Sequence, residues 1–252
     1  MFSLDHVVPW GRSFDEYRRM FALDAADQAL KIVGCGDGPA SFNAEATWRG
    51  LRVTSCDPIY RWDAKQIQTR VAVTYDVILE ETRRNADEFV WTSIASIDEL
   101  GQVRMSAMET FLEDFPSGKV QGRYVEAELP TLPFPDASFD LALSSHLLFL
   151  YTAQLGEAFH RAAIREMCRV ATEVRIFPLL ALGGHTSPIV PVISDELSHV
   201  GLTISIERVP YEFKRGGNQM MRIRRTTGAT GNIGNHGCGN TPRQTTSRMW
   251  GG

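Results

Sequence analysis

The stretch KIVGCGDGPASFNAE, residues 31–45, decides how the rest of the chain is read. LKIV (30–33) is short, partly β-branched and ended by glycine, as a buried parallel strand is. NAEATWRG then reads as a helix that Gly50 stops. A glycine turn between the two lets the backbone approach a ligand, and the helix beyond it favours negative charge. The dinucleotide pattern G-x-G-x-x-G fails here at its third position. Gly34-x-Gly36 leads to Pro39, and Gly36-x-Gly38 leads to Ser41. No Gly-Lys-Ser/Thr follows, so the turn is not a P-loop.

Outward from the turn, LRVTSCD (51–57) is a second strand ended by Pro58, which completes a strand–helix–strand unit and predicts an α/β fold. Upstream, Ser13 and Glu16 form a capping box, followed by Phe14, Tyr17 or Arg18, Phe21 and Ala25 at helical spacing. Downstream, residues 61–116 read as helical. Ile97, Leu100, Met105, Met108, Phe111, Leu112 and Phe115 recur there with the period of a packed helix face. Strands are expected over 122–128, 138–145 and 173–180, with a helix over 156–171. A closing hairpin of 202–213 and 218–225 turns at 214–217. The Gly-, Thr- and Asn-rich segment 226–252 has few apolar groups to bury and is expected to be a disordered tail. His236 and Cys238 within it do not make a ligand set.

The 252 residues are 43% hydrophobic and 22% charged with a formal charge of −4, the balance of a globular protein with a full core. That charge gives no reason to expect nucleic acid or an anionic membrane as partner. Cys35, Cys56, Cys168 and Cys238 are scattered without a C-x-x-C pair, so reduced core thiols and a cytoplasmic location are expected and no metal site is. The acidic N-terminus lacks the apolar run of a signal peptide, and no apolar run approaches the length of a membrane span.

Four segments in order carry a family resemblance. Gly34-Cys35-Gly36-Asp37-Gly38-Pro39-Ala40 follows most of a D-x-G-x-G-x-G/A turn. Asp57 ends the second strand, Ala127-Glu128 stands in VEAELPTLPF, and LPFPDASFDLALSS leads into the fourth strand. Together they resemble the class I S-adenosylmethionine-dependent methyltransferases of the type 11 kind. The resemblance implies a Rossmann-like seven-stranded sheet with helices on both faces, occupying 30–225, with 61–116 as a helical insertion between strands two and three and 1–29 as a lid. It implies S-adenosyl-L-methionine as cofactor, held by Gly34, Cys35, Gly36 and Gly38, by Asp57 and Pro58 at the ribose diol, by Ala127 and Glu128 at the adenine, and by Ser144. Asp57 and Glu128 also read as a turn carboxylate and a solvated loop carboxylate. One position departs from the pattern: Gly34 stands where the family has an acid, and Asp37 is the residue that could substitute.

Methyl transfer needs an aligned nucleophile and a dry site, and an oxygen or nitrogen acceptor also needs a base. His146, just past strand four, is the candidate base, or else a cap on the following LLFLY. Trp10, Arg12, Tyr17, Tyr151 and Tyr211 are the candidate walls of a pocket for a small-molecule acceptor. SSHLLFLY is not the N/D-P-P-Y/F sequence of enzymes that methylate DNA amino groups. A non-catalytic protein of the same fold, sensing the cofactor or binding a partner, is the alternative reading, and a nicotinamide oxidoreductase fits the turn poorly.

Overall fold

The computed structural model describes residues 7–225. The expected tail from residue 226 on, with His236 and Cys238, lies outside the described residues, as do the first six residues of the expected lid.

Seven strands form one sheet: β1 (Lys31–Cys35), β2 (Arg52–Cys56), β3 (Tyr124–Val125), β4 (Phe139–Ser145), β5 (Ala171–Phe177), β6 (Leu202–Arg208) and β7 (Gln219–Arg225). Their order is β3-β2-β1-β4-β5-β7-β6. β1 pairs in parallel with both β2 and β4, and β7 runs antiparallel to β5 and β6. The order therefore reverses at β1, and a crevice opens at the carboxyl ends of β1 and β4, where open α/β sheets bind ligands.

Side-chain alternation builds a core on each face. Ile32, Leu141 and Leu143 pack with Tyr17, Phe21 and Phe42 on one side. Val33 and Ala142 pack with Met108, Phe111, Ile164 and Met167 on the other. Helices α1 (Phe14–Met20) and α2 (Phe42–Trp48) supply the first core, and α4 (Ile97–Val120) and α5 (Thr152–Val170) the second. α6 (Ile189–His199) adds Ile189 and Ile193 to that second core. The Met and Phe stripe is helix packing: Phe111 and Phe115 pack against Tyr60 and Tyr124 in stacked, tilted and edge-to-face contacts. Each of these fully buried rings contributes about 1.5–3 kcal/mol.

The segment between β2 and β3 is two helices, α3 (Ala64–Arg84) and α4, joined by residues 85–96. Asp63 and Gln66 form a second capping box at the start of α3, and Ser96 caps α4. α1 begins at the expected box, with Ser13 and Glu16 bonded reciprocally.

Several expected boundaries move. β3 keeps two of the seven residues expected, because the chain bends at Glu128, whose backbone bridges to Thr131. β5 ends at Phe177 rather than 180, where Pro178 cannot donate to the ladder. α5 starts at Thr152 and bends at Gly156, whose φ of 75° is non-helical. β6 ends at Arg208, so Tyr211 and Phe213 lie in the hairpin connection. That connection packs on the α3–α4 joint. Val90 N–H donates to Phe213 O at 2.7 Å, and Arg215 N–H donates to Glu88 O at 2.9 Å.

Candidate active site

The glycine turn leaves β1 with left-handed backbone at Gly36 (φ 75°) and Gly38 (φ 56°). A side chain at Gly36 would also meet Leu147, since a Cβ there stands 2.5 Å from Leu147 Cδ2. Gly38 N–H donates to Asp57 Oδ2 at 2.8 Å, and its carbonyl accepts from Tyr60 O–H at 2.7 Å. The other Asp57 oxygen accepts from Ile59 N–H at 2.8 Å, which caps the 3-10 segment Pro58–Arg61. Asp57 is thus both the acid at the end of β2 and the anchor of the turn.

Gly34 and Asp37 work as a pair. A Cβ at Gly34 would lie 1.8 Å from Asp37 Oδ2, so the Asp37 carboxylate occupies the space a residue-34 side chain would need. The Asp37 side chain is thus folded back over the strand beside residue 34. Asp37 accepts from Tyr17 O–H at 2.9 Å and from Ser55 O–H at 2.6 Å. Burial pushes its carboxyl up to about 6, against the pull of those two bonds. Replacing Gly34 with Ala is expected to eject Asp37 from both partners and cost about 1–3 kcal/mol, the cost of overpacking a tight site. Chemical denaturation reads the loss, and an unchanged midpoint would show that Asp37 moves aside freely.

Past β4, His146 takes a left-handed φ of 55°, which costs a non-glycine residue on the order of 1 kcal/mol but suits a histidine better than most. Its N–H donates to Phe177 O at 2.7 Å, fixing the turn against β5. Nδ1 lies 2.9 Å from Ser145 Oγ. Ser145 O–H donates to Met20 Sδ at 3.9 Å, so its lone pairs are free to accept from Nδ1–H. That assignment leaves the lone pair on Nε2. Burial, then the charges of Arg12 and Arg104, hold the imidazole well below its ordinary range.

Two cavities meet at this residue. A polar cleft is lined by Tyr17, Gly36, Asp37, Gly38, Asp57 and Ser145 among others. A larger chamber, mostly apolar, is lined by Ile78, Phe89, Leu100, Leu150, Phe177 and Leu180 among others, with Arg104 and Lys214. Val8, Trp10, Arg12 and His146 line both, so the cavities adjoin along these residues. Tyr151 and Tyr211 line the chamber. Gly34, Cys35, Pro58, Ala127, Glu128 and Ser144 line neither. Gly34 and Cys35 lie within β1, Ser144 is fully buried in β4, and Glu128 stands half-buried at the bend after β3. Burial raises the Glu128 carboxyl and Arg61 pulls it back.

One buried network was not expected from sequence. Arg104 on α4 donates two hydrogen bonds to Glu16 on α1, Nη1 to Oε2 at 2.5 Å and Nη2 to Oε1 at 2.7 Å. Tyr211 O–H donates to Glu16 Oε1 at 2.9 Å. Arg104 is 1% exposed and Glu16 3%, so the pair is held by its geometry rather than by solvent. The signal was present in the sequence: Arg104 falls at the helical position between Leu100 and Met108, where the stripe calls for a buried residue.

Residues 103–173 match the family model of the methyltransferase domain. With the sheet order and the glycine turn at its switch point, the chain belongs to the class I S-adenosylmethionine-dependent methyltransferase family. It is 34% identical over 224 residues to the uncharacterized protein MJ0045 of Methanocaldococcus jannaschii, across 88% of this chain and 98% of that one. Among solved structures it is similar to magnesium protoporphyrin IX methyltransferase of Synechocystis, at 13% identity and a TM-score of 0.43 over 84% of this chain and 78% of that one. It is also similar to a TehB-like methyltransferase of Corynebacterium glutamicum, at 15% identity and a TM-score of 0.43 over 84% and 87%. Among the described residues no helix is long and apolar enough to cross a membrane, and no group of three His, Cys, Asp or Glu side chains could hold a metal ion.

Proposed function

We propose that the chain transfers a methyl group from S-adenosylmethionine in the polar cleft to a small molecule in the apolar chamber. The observation that carries this reading is that the two cavities adjoin, sharing Val8, Trp10, Arg12 and His146 in their linings. The cleft suits the cofactor chemically. It offers two left-handed glycines for close backbone approach and two carboxylates, Asp37 and Asp57, for a molecule that carries net positive charge. When bound, the cofactor supplies a methyl on a cationic sulfur, which keeps the carbon–sulfur electron pair as the methyl leaves.

The chain's own residues align and dry the site. Trp10, Tyr151 and Phe177 exclude water around the acceptor. His146 accepts the acceptor's proton on Nε2, while Nδ1–H stays bonded to Ser145 and fixes the ring. Burial, with the charges of Arg12 and Arg104, keeps the imidazole neutral at neutral pH, with Nε2 open to that proton.

Calorimetric titration with S-adenosylmethionine and S-adenosylhomocysteine, with NADH as control, tests the reading. Micromolar binding of the first two and none of NADH is expected, and no binding of either would overturn it. Replacing Asp57 with Ala is expected to weaken that binding strongly. It also strips the acceptors from two buried N–H groups, so about 1–3 kcal/mol of stability should go for each. An Asp57→Ala protein that binds as tightly as wild type would remove Asp57 from the cofactor site. The alternative, a fold kept for sensing, is favoured by one observation: both Asp57 oxygens already accept backbone N–H bonds. Cofactor binding with no transfer to any acceptor would support it.

A further inference from the structure

The chamber's charge is one-sided. Among the described residues Arg12, Arg104 and Lys214 line it, and no Asp or Glu does. Two of those cations are answered from behind the wall, Arg104 by Glu16 and Lys214 by Glu88. Arg12 is not. Among the described residues no carboxylate pairs with it, and its one hydrogen bond runs from Nη1 to Trp10 O at 3.1 Å. Its Nε is fully enclosed and makes no hydrogen bond. The acid that acts on it is Glu16, whose two oxygens are already taken by Arg104, Tyr211 and Ser13.

A guanidinium held in an apolar wall without an acid is costly unless something brings the charge to it. Arg12 lines the chamber, and the delocalised charge of its guanidinium suits a carboxylate there better than a neutral group. Arg12 lines both cavities; the cleft holds two acids for a cationic cofactor, whereas among the described residues no acid lines the chamber. We propose that the acceptor is an apolar, ring-sized molecule bearing a carboxylate, and that Arg12 receives that carboxylate. This rests on the methyl-transfer reading above. Arg12 then fixes which atom of the acceptor faces His146, because both residues stand in the same wall.

The test uses the full chain, wild type and with Arg12→Leu and Arg12→Lys, with and without saturating S-adenosylhomocysteine. The probes are 4-hydroxybenzoate, a hydroxynaphthoate and indole-3-acetate, each beside its neutral carboxamide, read by thermal shift and calorimetry. The acids are expected to bind at least tenfold tighter than the amides. Arg12→Leu should erase that difference, losing about 10- to 100-fold for the acids, the value of one or two charged hydrogen bonds. Arg12→Lys, which keeps the charge and loses its delocalisation, should fall between.

Equal binding of acids and amides overturns the proposal, and so does an acid series that fails to bind at all. A third outcome also overturns it. If Arg12→Leu weakens S-adenosylhomocysteine but not 5′-methylthioadenosine, which lacks the carboxylate, the guanidinium serves the cofactor instead. Failure of the parent reading looks different: wild type would bind the acids and not S-adenosylhomocysteine.

Discussion

A Glu16→Gln protein is expected to be about 3–5 kcal/mol less stable than wild type. The substitution leaves the volume almost unchanged, so the loss is electrostatic. It removes the negative charge that answers Arg104, a side chain 1% exposed, and breaking one partner from a buried pair leaves the other uncompensated. Arg12 lies near enough to repel Arg104, so the stranded charge would face a second cation. Burial works against ionised Glu16, but the charge and bonds of Arg104, with Arg12, outweigh it and hold the carboxyl down to about 2 from an ordinary 4.5. A depressed carboxyl contributes stability that is complete above the unfolded value and is lost as pH falls. Wild type should therefore weaken between about pH 4.5 and 2, and the variant should show a smaller loss there. Urea denaturation at pH 7 and through that acid window reads both effects. The double variant Glu16→Gln, Arg104→Met should recover most of the stability, since it leaves no stranded charge. If the single variant matches wild type, the pair does not hold α1 to α4.

The sheet was legible because its signals are local. The β-branched run that leads into Gly34 and Cys35, the one that stops before Pro58, and the FDLALSS run of β4 mark strands whichever way the chain folds around them. The capping box at Ser13 and Glu16 read correctly for the same reason, yet it concealed half of what Glu16 does. One carboxylate caps α1 through Ser13 and also grips Arg104 from 88 residues away. A pattern within four residues carries no trace of a partner that distant. Asp37 shows a different limit. Its place in the turn was legible but its direction was not, since the folded chain alone brings its carboxylate into the space beside Gly34. Tyr211 and Phe213 lie outside the strand expected for them, because the hairpin connection is held by Val90 and Glu88 on the α3–α4 joint. The chamber is made by that contact, between segments more than 120 residues apart, and sequence spacing cannot show it.

Replacing His146 with Gln is expected to slow methyl transfer by about 10²–10⁴-fold while leaving S-adenosylhomocysteine affinity within about twofold of wild type. Gln keeps the side chain polar and close in size, so the lining shared by the cavities stays in place. What it lacks is a nitrogen that can take a proton. The pH dependence separates a base from a wall residue. The imidazole is held well below its ordinary range by burial, Arg12 and Arg104, so it remains neutral as pH drops through 6.5. The wild-type rate should therefore stay level from pH 8 to 6.5 and fall only in more acid solution, as His146 protonates. His146→Gln should lose that acid limb along with the rate. Arg12→Leu removes one of the charges that disfavour the proton, so the limb should move to higher pH. The same lowered value has a stability consequence of defined sign: below about pH 6.5 the unfolded chain binds a proton at this histidine that the folded one refuses, so stability falls with pH there. An acid limb that survives in His146→Gln would assign the proton to another group, and a variant with wild-type rate would leave His146 as part of the wall alone.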